Sequence, residues 1–286
     1  ARRLFLDSIG TPDNSARRSQ PDGLYGSRDV GDVRVVMLDA RYARELPIVP
    51  SVGASRWLPR PGYVAAMVRC VCALLGLGRS HDADVLGEAQ WAWLEGALRN
   101  STARAHLVVS SIQVLTSSPL VESWGQFPRA RDRLLDLLAD ARPRGAVLLS
   151  GDVHYGELIG LRPEKLAGKW PSGANLLEVT SSGLTHACGE KALGRALCAL
   201  IHWLFGAHRV ADGARTPRIN FGTVHVDDEA LHFAIRGVDG APLLEHTLPL
   251  GLSPADERRR WIAARDAMPS IIDDGARGGR ALGALG

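Results

Sequence analysis

Residues 146–157, Ala146-Val147-Leu148-Leu149-Ser150-Gly151-Asp152-Val153-His154-Tyr155-Gly156-Glu157, decide how the chain is read. Four apolar residues stop abruptly at Ser150-Gly151, and a carboxylate and an imidazole follow two positions apart. The pattern predicts a buried strand that runs into a tight glycine turn. If the backbone stays extended, Asp152 and His154 share one face, with Cα atoms about 6.6–7 Å apart. Side chains at that spacing can each hold one ion of a pair separated by roughly 3.5–4 Å. Carboxylate oxygen and imidazole nitrogen suit iron, zinc and manganese, and oxygen alone suits calcium or magnesium. The same spacing equally describes a capping Asp152 and a satisfied core His154. Taken alone, a D-x-H pair favours that plainer reading.

Three further runs repeat the design. Residues 33–38 pass into Asp39-Ala40-Arg41-Tyr42, residues 106–109 into Ser110-Ser111-Ile112-Gln113, and residues 176–179 into Thr180-Ser181-Ser182-Gly183-Leu184-Thr185-His186. Near-continuous apolar runs read as strands buried on both faces. Two of the three gaps between the four runs carry helical periodicity. In residues 88–98, Trp91, Leu94, Ala97 and Leu98 fall on one face, with Glu88 and Glu95 on the other. A second helix starts at Pro128, a first-turn proline, and runs through Leu134, Leu135 and Leu138. Strand alternating with helix predicts an α/β fold. In such folds sites form just outside the carboxyl ends of the strands. Beyond Pro217, residues 220–226, 231–235 and 243–248 are short strands between Asp-rich turns. They predict an antiparallel meander that closes the sheet.

With 286 residues, 45% hydrophobic and 23% charged, the composition is that of an ordinary globular protein. A net charge of +3, with no basic run interleaved with aromatics, gives no case for nucleic acid as a structural partner. The most apolar stretch, residues 63–77, contains Arg69 and is shorter than the ~20 residues a membrane-spanning helix needs. It predicts a buried or interfacial helix, as do residues 193–205, and no transmembrane segment. At the amino end, Leu4-Phe5-Leu6 finish a helix stopped by Gly10 and Pro12. From Pro254 a charged segment predicts one exposed helix, and the glycine-rich end predicts a flexible tail. Cys70, Cys72, Cys188 and Cys198 match neither a CxxC pair nor a disulfide framework, so reduced thiols are expected. No G-x-S-x-G elbow supports a serine hydrolase. No signal peptide follows Ala1-Arg2-Arg3, which leaves localisation open, as the sequence leaves the oligomeric state.

Several stretches, in order, resemble the PhoD-like alkaline phosphatases of the calcineurin-like metallophosphoesterase superfamily. They are Leu38-Asp39-Ala40-Arg41-Tyr42, Leu86-Gly87-Glu88-Ala89-Gln90-Trp91-Ala92-Trp93-Leu94, Ser110-Ser111-Ile112-Gln113, Glu122-Ser123-Trp124-Gly125-Gln126-Phe127-Pro128, Ser150-Gly151-Asp152-Val153-His154-Tyr155-Gly156-Glu157 and Thr180-Ser181-Ser182-Gly183-Leu184-Thr185-His186. The resemblance covers roughly residues 4–250. It implies a metallophosphoesterase-type αββα sandwich and a binuclear metal site, and it turns the reading of Asp152 and His154 toward metal. Carried over by position, Asp152 ligates the second ion, often calcium, and His154 the first, often iron, with zinc or manganese as alternatives. The implied substrate is a phosphate monoester or diester. The implied chemistry is attack on phosphorus by a hydroxide that the two ions activate.

The family's other metal ligands lie in upstream aspartate, tyrosine and W-D-D-H-D-like motifs, and these are not in this sequence. Residues 1–250 therefore resemble the carboxyl-terminal part of such a domain, followed by residues 251–286 as charged helix and tail. Two residues cannot hold a metal pair, since even a three-ligand zinc site needs another protein ligand. The chain alone is expected to show little or no phosphatase activity. The alternative is a non-catalytic remnant or interaction module of the same fold that binds no metal. Arg41 is a candidate phosphate donor, or else an ion-pair partner of Asp39. Glu157 either orients His154 or is a plain surface residue. Gln113 and His186 are candidate pocket residues with hydrogen-bonded structural roles as the alternative. Trp124 and Phe127 either wall the pocket or pack in the core.

Overall fold

The computed structural model describes residues 2–20, 22–49, 61–116, 118–161, 176–190, 194–196, 198–199 and 214–250. The charged helix expected after Pro254, the glycine-rich end and most of residues 193–205 lie outside them. In chain order the elements are α1 (Arg2–Ser8), α2 (Ala16–Ser19), β1 (Gly26–Val30), β2 (Val33–Met37), α3 (Pro61–Leu74), α4 (Glu88–Arg99), β3 (Ala105–Val109), α5 (Pro128–Ala141), β4 (Ala146–Ser150), β5 (Gly156–Leu161), β6 (Leu176–Ser181), β7 (Arg215–Thr216), β8 (Phe221–Val226), β9 (Ala230–Arg236) and β10 (Pro242–Pro249). A 3-10 turn, Trp124–Gln126, leads into α5.

The described strands form a seven-stranded sheet, ordered β1-β2-β3-β4-β6-β5-β7, and a three-stranded sheet. The four strands expected from the apolar runs, β2, β3, β4 and β6, are adjacent and parallel. Their carboxyl ends therefore share one edge. The three later strands pair antiparallel as a meander, as expected. They do not close the first sheet, however, but build a second one. Leu231, Phe233 and Ile235, alternate residues of β9, cluster with Leu107, Val147, Leu158, Leu177 and Val179 of the large sheet. Period-two alternation sends those side chains to one face, and that face is buried by stacking rather than by edge pairing.

The opposite face of the large sheet carries the helices. Trp91, Leu94 and Leu98 of α4 and Leu134, Leu135 and Leu138 of α5 pack with Val36, Val108, Leu148 and Leu176. The parallel strands thus lie between two apolar layers, which explains why their sequences do not alternate. Three strands escaped the sequence reading. β1 is an exposed edge strand of polar residues, Gly-Ser-Arg-Asp-Val. β5 contains two glycines, and β7 is two residues long.

His106 on β3 is buried, and its Nδ1 lies 2.8 Å from the Arg144 carbonyl oxygen. That acceptor requires the proton on Nδ1, and the buried Nε2 has no hydrogen-bond partner among the described residues. Burial, opposed by the bond to Arg144, lowers the pKa of His106. A histidine whose folded pKa is depressed contributes stability above its unfolded value of about 6.5, and this is lost as pH falls through the folded value. His106→Gln should narrow the stability gap to wild type between pH 8 and pH 5. Urea midpoints at the two pH values check this, and an unchanged gap would refute it.

Candidate active site at the carboxyl edge of the sheet

Beyond β4 the backbone does not continue as a strand. Asp152 and His154 both have left-handed backbone, with φ of 75° and 60°. The expected one-face extended geometry of the pair is therefore corrected. Gly151, the residue a tight turn would be expected to use, is not among the left-handed glycines. Asp and His are among the side chains that tolerate this region best. The turn is held across the strand ends: the His154 amide donates to Ser182 Oγ at 3.2 Å, and the Cys188 amide donates to the His154 carbonyl at 2.9 Å.

The loop after β2 supplies the opposing wall. The Asp39 carboxylate accepts the amides of Leu24, Arg41 and Tyr42 at 2.8–3.0 Å. Gln90 on α4 donates to the Asp39 carbonyl and accepts the Asp39 amide. With its backbone fixed from both sides, Arg41 reaches over the edge, and its Nη2 lies 3.3 Å from Asp152 Oδ1. A second oxygen donor, Glu122, lies 3.9 Å from Arg41 Nη1 and also bonds Arg44. The ion pair of Arg41 is thus with Asp152 and Glu122. Asp39 serves the backbone of the loop.

Across the mouth, the rings of His154 and His186 lie 4.0 Å apart. Thr185 Oγ1 lies 3.0 Å from His186 Nδ1. Burial, then the charge of His186, lowers the pKa of His154, and Asp152 opposes them. Burial, then the Glu122 carboxylate, raises the pKa of Asp152 against Arg41, His154 and Arg44. Two carboxylates crowded beside an imidazole whose pKa is lowered form the donor chemistry of a cation site. Among the described residues no three His, Cys, Asp or Glu side chains assemble as one ligand set. The donors present fit a metal in kind and are too few in number.

The remaining sequence candidates lie deeper. Gln113 is fully buried and bonds Thr180 Oγ1 at 2.9 Å, Glu157 Oε2 at 3.3 Å and the Tyr155 hydroxyl at 3.4 Å. Glu157 is buried on β5, which corrects the surface reading. Trp124 and Phe127 are fully buried in the helical-side core, so they do not wall an open pocket. Three groups were not singled out from sequence. Glu122 and Arg44 complete the charge cluster. Glu178 on β6 is fully buried, with its oxygens on the amides of Val114 and Leu115. Its only sequence signal was a carboxylate inside an apolar strand. Gly183 is required where it stands, because a Cβ there would collide with Asn220 Nδ2 and crowd the Arg218 carbonyl. Cys188 and Cys198 are disulfide-bonded, correcting the expectation of reduced thiols, whereas Cys70 and Cys72 are free.

The parallel strands deliver carboxylate, imidazole and guanidinium groups to one carboxyl edge, where α/β folds place their sites. The PhoD-like phosphatase family matches residues 10–218, and the chain belongs to that family. A solved structure of PhoD shares the fold at a TM-score of 0.50 and 16% sequence identity, over 79% of this chain. The chain spans only 40% of the length of that structure. No curated protein matches the chain in sequence.

Proposed function

We propose that residues 1–250 are the carboxyl-terminal part of a PhoD-like phosphoesterase domain of αββα type, acting on a phosphate monoester or diester. Asp152 and His154 would each hold one ion of a metal pair, calcium and iron respectively, with zinc or manganese as substitutes. The observation that carries this reading is the convergence of Arg41, Glu122, Asp152, His154 and His186 at the common edge of four parallel strands. Ions at that edge would supply positive charge to phosphate oxygens and acidify water. The chain's own residues do the rest. Arg41, 54% exposed, can leave Asp152 and Glu122 for a phosphate, which its planar fork fits with two parallel bonds. Asp39 and Gln90 hold the loop that carries it. His186 stacks at the edge of His154 and limits its rotation. Gln113 joins Glu157 on β5 to Thr180 on β6, so the floor beneath the turn is fixed.

The remaining metal ligands belong to the family's upstream motifs. Residues 1–286 are accordingly expected to hydrolyse p-nitrophenyl phosphate, or its diester, at a rate close to the metal-only background. Robust metal-dependent hydrolysis that His154→Ala abolishes would show the site to be complete without those motifs. The ligand assignment has its own check. Added Mn²⁺ should broaden the His154 ring signals in the NMR spectrum, and Asp152→Asn should reduce the effect. Signals indifferent to the ion would favour a non-catalytic module of this fold.

A further inference from the structure

Cys188 and Cys198 close a loop that is fastened to the candidate site at its start. The Cys188 amide donates to the His154 carbonyl at 2.9 Å, and His186, two positions earlier, holds its ring 4.0 Å from that of His154. His154 has left-handed backbone, with φ of 60°. A residue other than glycine persists in that region only where its surroundings impose it. Two hydrogen bonds do so here: Ser182 Oγ accepts the His154 amide, and the Cys188 amide donates to the His154 carbonyl. One of the two bonds therefore comes from the backbone of a cystine residue.

The loop is folded closely on itself. A Cβ at Gly194 would collide with the Cys188 carbonyl, the Ala187 amide donates to Glu190 Oε2, and the Gly189 amide donates to the Pro217 carbonyl. Both cystine residues are partly exposed, so a small thiol can reach the bond. The central strands do not depend on it, since β4 and β6 pair directly and the cystine spans only ten positions. We propose that the Cys188–Cys198 cystine is a redox latch on the site, a reading that rests on His154 as a metal ligand. Closed, it keeps the Cys188 amide on the His154 carbonyl and the His186 ring against the His154 ring. A dithiol opens it. One thiolate attacks a cystine sulfur, the Cys188–Cys198 bond breaks, and the second thiolate frees that sulfur by closing the dithiol's own disulfide. Two electrons and two protons pass from the dithiol to the cysteines, which end as thiols. The loop loses its closure, the Cys188 amide leaves the His154 carbonyl, and His154 relaxes out of the left-handed region.

NMR of the 286-residue chain before and after dithiothreitol tests this, beside a Cys188→Ala/Cys198→Ala double variant that keeps both backbone amides. Cys70 and Cys72 are already free thiols, so reduction acts on this bond alone. Reduction should speed hydrogen exchange at the residue 188 amide about ten-fold or more and shift the His154 and His186 ring signals, while the amides of β4 and β6 exchange as before. The double variant should match the reduced chain, and glutathione disulfide should restore the starting spectrum of the wild type. Mn²⁺ should bind the double variant about ten-fold more weakly, the scale of losing a group that orients a metal ligand. Should that variant not fold, reduction of the wild-type chain carries the same NMR readings. Ring signals and residue 188 exchange indifferent to reduction overturn the proposal. So does lost protection in β4 and β6, which would make the cystine a staple of the whole fold. Ring signals that respond to reduction but not to Mn²⁺ would overturn the metal role of His154 and uphold the latch itself.

Discussion

Trp124→Ala is expected to destabilise the chain by about 3–5 kcal/mol, the range for removing a large aromatic from a closed core. Trp124 has no exposed surface, and its ring meets the edge of Trp91 at 6.2 Å. Its Nε1 donates to Ser110 Oγ at 3.0 Å, and Ser110 in turn donates to the Ile112 carbonyl. Its amide donates to the Gln113 carbonyl at 2.9 Å. The residue thus fastens the loop before α5 to the carboxyl end of β3. Truncation leaves a cavity that neighbours on two helices and a strand cannot fill, because interiors are already close-packed. Trp124→Phe keeps most of the volume and loses the Nε1 bond, so its cost should be nearer 1 kcal/mol. Denaturant midpoints of the two variants separate the terms. A cost below about 1 kcal/mol for Trp124→Ala would mean that the ring lines solvent-filled space.

Replacing Glu178 should be comparably damaging. Its two oxygens accept the amides of Val114 and Leu115 at 2.8 and 2.6 Å, and Ser150 also bonds it. Arg131, whose Nη2 donates to the Leu115 carbonyl, faces it with positive charge. Glu178→Leu leaves two backbone donors without acceptors and removes the larger of the two negative charges acting on Arg131, for a loss on the order of 3–5 kcal/mol. Glu178→Gln keeps the shape and one acceptor and should cost less. Burial raises the pKa of Glu178, against the bonds from Ser150, Val114 and Leu115 and the charge of Arg131. A carboxyl raised in the folded state contributes its full stability below the unfolded pKa, and that contribution is lost as pH rises through the folded value. The gap between wild type and Glu178→Gln should therefore be widest in acid and narrow toward neutral pH. A gap that widens instead would show that the donors outweigh burial and keep the group ionised.

Much of the candidate site is legible in the sequence. Arg41, Asp152, His154 and His186 each follow an apolar run, and parallel strands bring such run-ends to one edge. Glu122 was not readable as a site residue, because it lies on a loop far from any strand end in sequence. The sequence leaves Glu157 and Gln113 open between two readings each, because burial depends on what covers a residue. Glu157 lies on β5 between β6 and β7 and is met by Gln113, which is itself enclosed by Thr180, Glu157 and Tyr155. The cystine escaped because a ten-residue spacing fits many arrangements, and only the fold brings Cys188 and Cys198 together.

By itself the sequence determined the four central strands, the two helices that cover them and the change to a meander. Continuous apolar runs and 3.6-residue periodicity are local properties that no distant contact needs to supply. It also determined the family, because six motifs in order form a pattern that chance seldom supplies. The tertiary structure alone decided that the meander stacks on the sheet instead of extending it, and that the Asp152–His154 segment turns left-handed. It also decided that the apolar face of α3 stays open, with Met67 and Leu74 exposed. Each of these is a choice between packings that share the same local pattern, and residues distant in sequence settle it by occupying or leaving the neighbouring space.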